Sequence, residues 1–323
     1  MDSKKIVVTG ANGFLGANLT REFLNCGYEM YPFVRESSNL WRIAEIIDEL
    51  NVIKLSESSR TEYAKLFSAI KPDVIINAMG ADQKSILNDG ALNWKSNFLS
   101  LVELANGMTE MGDCVFIHAG SSFEYGRTTL KSNPVSESSM FEPVSEYAIA
   151  KLFATNYLKY ITQWRSNSIF DFLIFNLYGP YESHERLIPD VILKSIQGEK
   201  IVLKNPSVAR DFIYIKDVTE AFDTVIKDCE TATGLNILNL GTGVGSKISD
   251  VAYMINGLNG NKSKIEFSLG DQRPENSIPG PIADMKKTQS ILKWKPKYDI
   301  RRGFLDQNNW FSKHLDIYGI DKF

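Results

Sequence analysis

Two groups of residues carry the chemistry open to this chain. The first is Gly10-Ala11-Asn12-Gly13-Phe14-Leu15-Gly16, which follows the short apolar run Ile6-Val7-Val8. Glycines at i, i+3 and i+6 between a strand and a helix meet three needs: a tight turn, close approach of backbone to a ligand, and close packing of the helix. The helix N-terminus offers unpaired N–H groups and a partial positive charge to a diphosphate. Gly10, Asn12, Gly13, Phe14, Leu15 and Gly16 are therefore the expected dinucleotide cradle, although the spacing G-x-x-G-x-x-G departs from G-x-G-x-x-G. The competing reading is a plain structural turn.

The second group is Tyr147 and Lys151, i and i+4 on one helix face, preceded by Ser121-Ser122. A tyrosine hydroxyl titrates near ~10, so work as a base near neutral pH needs a lowering of about three units, or ~4 kcal/mol of phenolate stabilisation. A lysine ammonium together with a nicotinamide charge is a source of it. A serine hydroxyl holds the substrate oxygen and shares the proton. Tyr-x-x-x-Lys alone is most often structural. Joined to a glycine cradle and a serine pair, it points to hydride transfer on an alcohol or ketone.

These residues need a scaffold. Strands expected at 5–8, 28–34, 52–55, 73–77 and 114–118 alternate with helices at 17–26 and 91–111, which argues for α/β architecture with a parallel sheet covered on both faces. A long helix over 145–164 precedes a strand at 170–176, and Pro32 marks the second strand as tolerant of a missing ladder bond. The segment 130–143 reads as a surface loop. Beyond 176 the elements shorten and prolines cluster, so residues 1–175 are expected to form the nucleotide-binding domain and 176–323 a smaller one, with 211–215 and 236–240 returning to the sheet (a return segment of about 211–242). Phe153, Tyr157, Leu158, Tyr160, Ile161 and Trp164 cover more than one stripe of the 145–164 helix, so one face is expected on the sheet and another on a second subunit, giving a homodimer through the 91–111 and 145–164 helices.

Cofactor choice turns on the end of the second strand. Val34 and Arg35 stand where an acidic residue would take the ribose hydroxyls of NAD, and Arg35 suits the 2′-phosphate of NADP. The expected cofactor is NADP, with NAD as the alternative if Arg35 is merely solvated and Glu36 takes the ribose. Ala78, Met79 and Gly80, after the fourth strand, complete the expected cofactor-binding set together with Lys151.

The net charge of −3 gives no footprint for nucleic acid, and no apolar run reaches membrane-spanning length. The first five residues lead into a strand rather than a signal peptide, and Cys26, Cys114 and Cys229 are scattered, so a reduced cytoplasmic protein is expected. His118, His184 and His314 are too far apart for a local metal motif; no metal is expected, and His184 sits in a loop, where a histidine is more often solvated than substrate-facing.

In these motifs the chain resembles the extended short-chain dehydrogenase/reductases, a family of nucleotide-sugar epimerases, dehydratases and reductases, nearly end to end. Ser121-Ser122-Phe123-Glu124-Tyr125-Gly126 matches the family's S-S-x-x-V-Y-G segment, whose catalytic Ser or Thr lies four before the Tyr-Gly tyrosine; that selects Ser121. Asn97, Asn176-Leu177-Tyr178-Gly179-Pro180, Arg210-Asp211-Phe212, Leu240-Gly241-Thr242-Gly243 and Arg273-Pro274 also fit. The resemblance implies a Rossmann-type doubly wound parallel sheet with a smaller C-terminal α/β domain for substrate. It implies that Ser121, Tyr147 and Lys151 are catalytic and that Asn176, Arg210 and Arg273 hold a substrate diphosphate, which needs several donors and fixed cations. Arg186 is an even choice between ligand contact and surface ion pair. Ser122, Phe123, Glu124 and the 181–188 loop are expected to face the sugar.

Departures narrow the chemistry. Dehydratases of the family carry Asp and Glu where this chain has Ser122 and Phe123. A phenyl ring cannot take a proton from carbon, so water elimination and epimerisation at C3 or C5 are disfavoured. Ser56 stands where the family often has an adenine-binding Asp. The expected reaction is NADPH-dependent reduction of a nucleotide-linked 4-keto sugar, similar to the deoxysugar-forming paratose and abequose synthases; the alternative is 4-epimerisation through a transient ketone with retained NAD. A non-catalytic cofactor-binding scaffold is the third possibility, since fold does not fix function.

Overall fold

The structure, a computed structural model, describes residues 3–81, 90–108, 111, 114–163, 168–228, 233–268 and 278–318. The chain divides into two compact units that interlace along the sequence. The first comprises Met1–Glu124, Pro143–Ile174 and Thr219–Leu238; the second comprises Tyr125–Glu142, Phe175–Val218 and Asn239–Phe323. The boundary is thus not one cut after residue 175.

A seven-stranded sheet organises the first unit. Its strands are β1 (Lys5–Thr9), β2 (Glu29–Arg35), β3 (Ile53–Leu55), β4 (Val74–Asn77), β5 (Val115–Ser121), β6 (Ser168–Ile174) and β10 (Gly234–Leu240), in the spatial order β10-β6-β5-β4-β1-β2-β3. The pairings from β3 through to β6 are parallel. Strand order reverses between β1 and β4, the switch point where open α/β sheets bind ligands. Every residue of β4, β5 and β6 is buried, as parallel strands covered on both faces require. Pro32 lies opposite Val8, one residue before the β2–β3 ladder opens at Phe33 and Ile53, so its missing N–H is tolerated.

Helix α1 (Phe14–Asn25) follows the glycine turn, and α2 (Arg60–Ile70) is capped by the Ser59 side chain, which accepts from the Glu62 N–H. Helix α3 runs over Gly90–Trp94, passes through a π-helical turn at Lys95–Leu99 and resumes over Ser100–Gly107. Helix α4 (Glu146–Ile161) is capped by Ser145, whose hydroxyl accepts from the Ala148 N–H. Trp164, placed in this helix by the sequence pattern, lies outside the described residues. Stacked rings of Phe33, Tyr63 and Phe67, with centroids 5.9–6.4 Å apart, fill the core between the sheet and α2. On the outer side of α3 and α4, Trp94, Phe98, Phe153 and Tyr157 make edge-on ring contacts at 5.4–6.3 Å. Leu99, Phe153 and Tyr160 in this strip remain about half exposed.

Three sequence expectations need correction. The strand expected at 170–176 is two strands: β6 ends at Ile174, and β7 (Asn176–Tyr178) enters a separate three-stranded sheet of the second unit. Residues 211–215 do not return to the large sheet. They belong to β9 (Ala209–Tyr214), which pairs with β7 and β11 (Gly245–Lys247), because the place beside β6 is taken by β10. The other returning segment, 236–240, is that β10 strand, and β8 (Ile201–Lys204) pairs in parallel with β12 (Ile265–Ser268) in a two-stranded sheet. The loop at 130–143 is not all surface: Val135 is fully buried, donates its N–H to the Ile282 carbonyl at 2.8 Å and accepts from the Asp284 N–H at 2.9 Å.

Candidate functional site

Steric demand fixes the glycine turn. Gly10 has φ +71°, and a Cβ there would lie 2.6 Å from the Ala78 carbonyl oxygen; a Cβ on Gly16 would run into the Gly10 carbonyl. The Gly13 N–H donates to the Gly10 carbonyl at 2.9 Å, and no side chain caps the start of α1 at Phe14 and Leu15. A cavity of about 460 Å³ opens here, lined among others by Gly10, Asn12, Arg35, Glu36, Met79 and Gly80. A backbone cradle that a single methyl group would fill, with open helix N–H groups beside it, fits a dinucleotide diphosphate. Ser56 lines the same cavity and donates its hydroxyl to Glu62 at 3.2 Å. Arg42, not singled out by the sequence, donates to the Asn12 carbonyl at 3.2 Å while its guanidinium covers the Trp41 ring. Its place in an irregular 3₁₀ stretch left no periodic signal.

The ends of β1, β4 and β5 are tied by a polar row. Thr9 Oγ1 and the Met79 N–H both donate to Asn77 Oδ1, so the Asn77 amide nitrogen faces His118 Nδ1 at 3.1 Å. His118 accepts there and is neutral: burial and the nearby Lys151 ammonium push its value well below the ordinary 6.5. This row orients the 78–80 backbone. Asn97, at the centre of the π-helical turn, holds the next carbonyl, Ala81, at 3.2 Å. A π turn at such a place is a common mark of a functional segment.

Lys151 is buried in α4 and donates to the Ala119 carbonyl at 2.8 Å. Its Nζ lies 3.7 Å from where a Cβ on Gly80 would sit, so it stands beside the cavity's 78–80 wall. Burial lowers its value to about 8, against the opposing pull of Glu124 and Asp171. Tyr147 is one turn earlier on the same face, half buried, with its ring edge-on to Phe123 at 6.4 Å. Ser121 ends β5, and its Oγ accepts from the Phe123 N–H at 3.3 Å. Ser122 is fully buried and its Oγ has no hydrogen-bond partner among the described residues. The structure therefore gathers Ser121, Phe123, Tyr147, Lys151 and Gly80 in one region of the first unit.

Glu124 corrects an expectation. It does not face a sugar; it is fully buried, with Oε1 accepting from the Ser121 N–H at 3.0 Å and Oε2 lying 2.9 Å from Thr155 Oγ1. Thr155 Oγ1 is also 2.6 Å from Asp171 Oδ2 in β6. Burial pushes both carboxyls well above the usual carboxylate range. Two signals in the sequence could have exposed this cluster: Glu124 occupies the valine position of S-S-x-x-V-Y-G, and Asp171 interrupts an otherwise apolar strand.

In the second unit, Asn176 donates to the Asp211 carbonyl at 3.3 Å across the β7–β9 pairing. The Asp211 carboxylate accepts from the Thr242 N–H and hydroxyl and from the N–H groups of Gly243 and Ala283. It pins β9 and so fixes Arg210, whose guanidinium packs against Gly280; a Cβ there would lie 2.6 Å from Nη1. Arg186 sits 3.9 Å from the Glu182 carboxylate, and burial raises Glu182 to about 7. Arg273 lies outside the described residues, as does Cys229. Among the described residues no group of three His, Cys, Asp or Glu is placed to hold a metal ion, and no helix is long and apolar enough to cross a membrane.

A reversing parallel sheet with a glycine cradle at its switch point and a Tyr/Lys helix beside it defines a Rossmann-type short-chain dehydrogenase/reductase. The NAD dependent epimerase/dehydratase family matches residues 6–241, and the chain belongs to it. It is 25% identical to a UDP-glucose 4-epimerase of Pisum sativum, over 95% of each chain. Its fold superposes with a TM-score of 0.87 on the Thermotoga maritima UDP-glucose 4-epimerase bound to UDP-glucose, at 20% identity over 96% of this chain and 99% of that one. A Bacillus anthracis dTDP-glucose 4,6-dehydratase in complex with NAD gives 0.83 at 22% identity, over 98% of both chains.

Proposed function

We propose that this chain inverts the configuration at C4 of a sugar linked to a nucleoside diphosphate, and that it keeps NAD through the cycle. One observation carries the reading: Lys151 is buried beside the Gly80 wall, on the face it shares with Tyr147, while Ser122 and Phe123 replace the acidic pair that water elimination needs. When bound, a nicotinamide cofactor supplies reversible hydride acceptance at C4. Tyr147 takes the proton of the 4-hydroxyl and returns it to the 4-keto oxygen, Lys151 stabilises the phenolate, and Ser121 orients the oxygen. With no carboxylate at 122 or 123, the hydrogens at C3 and C5 stay in place. Asn176 and Arg210, with Arg186 and Arg273, supply donors for the diphosphate.

The sequence alone favoured NADPH-dependent 4-keto reduction. The full-length likeness to 4-epimerases favours the alternative, because both reactions use the same Tyr147 proton and differ in net cofactor consumption. Arg35 and Glu36 line the same cavity, so the residue that NAD needs at the ribose is present beside the one that suits NADP. The half-exposed strip of Leu99, Phe153 and Tyr160 extends the proposal to a homodimer through α3 and α4, which sedimentation at micromolar concentration tests.

The functional test is cofactor behaviour. The expected outcome is that the purified protein releases NAD on denaturation and interconverts UDP-glucose and UDP-galactose with no cofactor added. Stoichiometric NADPH oxidation on a nucleotide-linked 4-keto sugar, without interconversion, overturns the proposal in favour of the reductase.

A further inference from the structure

The trio behind the Ser121 turn can be counted in protons. Thr155 Oγ1 lies 2.9 Å from Glu124 Oε2 and 2.6 Å from Asp171 Oδ2, and a hydroxyl has one proton to give. Two ionised carboxylates would leave one of these oxygen pairs with no hydrogen between them, in a fully buried place. The other Glu124 oxygen is already used by the Ser121 N–H, and the other Asp171 oxygen is buried with no hydrogen-bond partner among the described residues. The charged groups acting on the trio are Lys151 and Lys159, both on α4, and His118, opposite Asp171 in the β5–β6 register, is neutral. With Lys151 protonated, one carboxylate and one carboxylic acid leave the buried cluster electrically balanced.

We propose that Glu124 and Asp171 keep one carboxyl proton between them at neutral pH, in addition to the hydroxyl proton of the bridging Thr155, and that Glu124 is a positioning residue, holding the Ser121 backbone while keeping the charge beside Lys151 at a single negative unit. Its geometry is prepared elsewhere in the fold. Tyr147, Lys151 and Thr155 follow one another at i, i+4 and i+8 on α4, so the face that carries the proton-transfer pair also carries the bridge. Gly120 leaves room for the acid, since a Cβ there would collide with Asp171 Oδ1. Burial raising both carboxyls agrees with a retained proton. The link to Ser121 and Lys151 rests on the proposed catalytic roles; the proton count does not.

The test separates the two. Glu124→Gln copies the shape and hydrogen bonding of a protonated Glu124 but cannot ionise. Urea unfolding of wild type and Glu124→Gln is followed from mildly acid to mildly alkaline pH. A group raised in the folded state gives stability that is full below its unfolded value and lost as pH climbs through its folded value, so the wild type loses stability relative to the variant by a slope approaching one proton. Parallel curves overturn the proposal. Should the variant fail to fold, infrared spectra of a Glu182→Gln protein, which lacks one other raised carboxyl while Asp211 keeps the four donors that favour its ionised form, show a protonated-carboxyl band at neutral pH that disappears on alkalinisation; no band overturns it. For the positioning role, Glu124→Gln keeps its neutral-pH kcat within about threefold while the alkaline limb of the pH–rate profile moves. An unmoved limb removes the coupling to Lys151 and leaves the stored proton standing, and an enzyme inactive toward every nucleotide sugar defeats the functional reading alone.

Discussion

Two strand ends of the same sheet make their sites in opposite ways. After β1 the chain removes side chains: Gly10 and Gly16 stand where a methyl group would strike backbone. After β5 it buries them: Ser121, Ser122 and Glu124 are enclosed, with Lys151, Thr155 and Asp171 brought in from α4 and β6. The glycine turn is backbone and empty volume and carries no ionisable side chain of its own, although Arg35 and Glu36 line the cavity it opens on. The second is charge and hydrogen bonding under low solvent exposure, so its behaviour depends on pH. Cofactor grip and proton transfer should therefore fail separately.

Tyr147→Phe gives the largest separation. Turnover falls about 10²–10⁴-fold, the range for loss of a positioned proton-transfer group, while NAD still copurifies. Equal loss of both would merge the two regions. Gly10→Ala tests the other side: strain at φ +71° and contact with Ala78 cost about 1–3 kcal/mol by urea unfolding, and the purified protein loses its nucleotide. Gly120→Ala displaces Asp171 and costs about 1–3 kcal/mol, typical of overpacking, with nucleotide content unchanged.

Then comes pH. Burial lowers Lys151 to about 8, so on the proposed mechanism kcat is expected to decline as pH rises through that value and the ammonium one helical turn from Tyr147 is lost. Stability runs the other way for this group. A lysine lowered in the folded state carries a penalty while protonated, present below about 8 and relieved toward its ordinary 10.5. A cradle mutant with residual turnover should keep the same alkaline limb. The smallest effect belongs to Arg35→Asp, which weakens NADP relative to NAD by about 1 kcal/mol, the scale of an exposed ion pair, read as thermal shifts with each cofactor.

Much of this was legible in the sequence for the reason that separates the two regions. Glycine at a crowded turn is a local demand, so Gly10, Gly13 and Gly16 announce themselves over seven residues. Alternating apolar runs announce the sheet in the same way. Tyr147 and Lys151 are local too, one helical turn apart. Glu124 is not: its orientation depends on Thr155, 31 residues later, and on Asp171 beyond it. Its place at the valine position of S-S-x-x-V-Y-G is the local sign that the side chain turns inward, and that sign names no partner. The misplaced return of 211–215 has the same origin, since strand partners are chosen by a competition along the whole chain, and Gly234–Leu240 wins the place beside β6. Val135 looked exposed because its partners, Ile282 and Asp284, come nearly 150 residues later.

The interlacing of the two units has a consequence for synthesis. The chain passes between them after Glu124, Glu142, Ile174, Val218 and Leu238. A nascent polypeptide leaving the ribosome can assemble β1 to β6 early, yet the flank of β6 stays bare until Gly234–Leu240 has emerged. During that interval an apolar strand waits with unpaired backbone, the kind of edge that invites association with the wrong chain. Truncation at 175 would make that waiting state permanent.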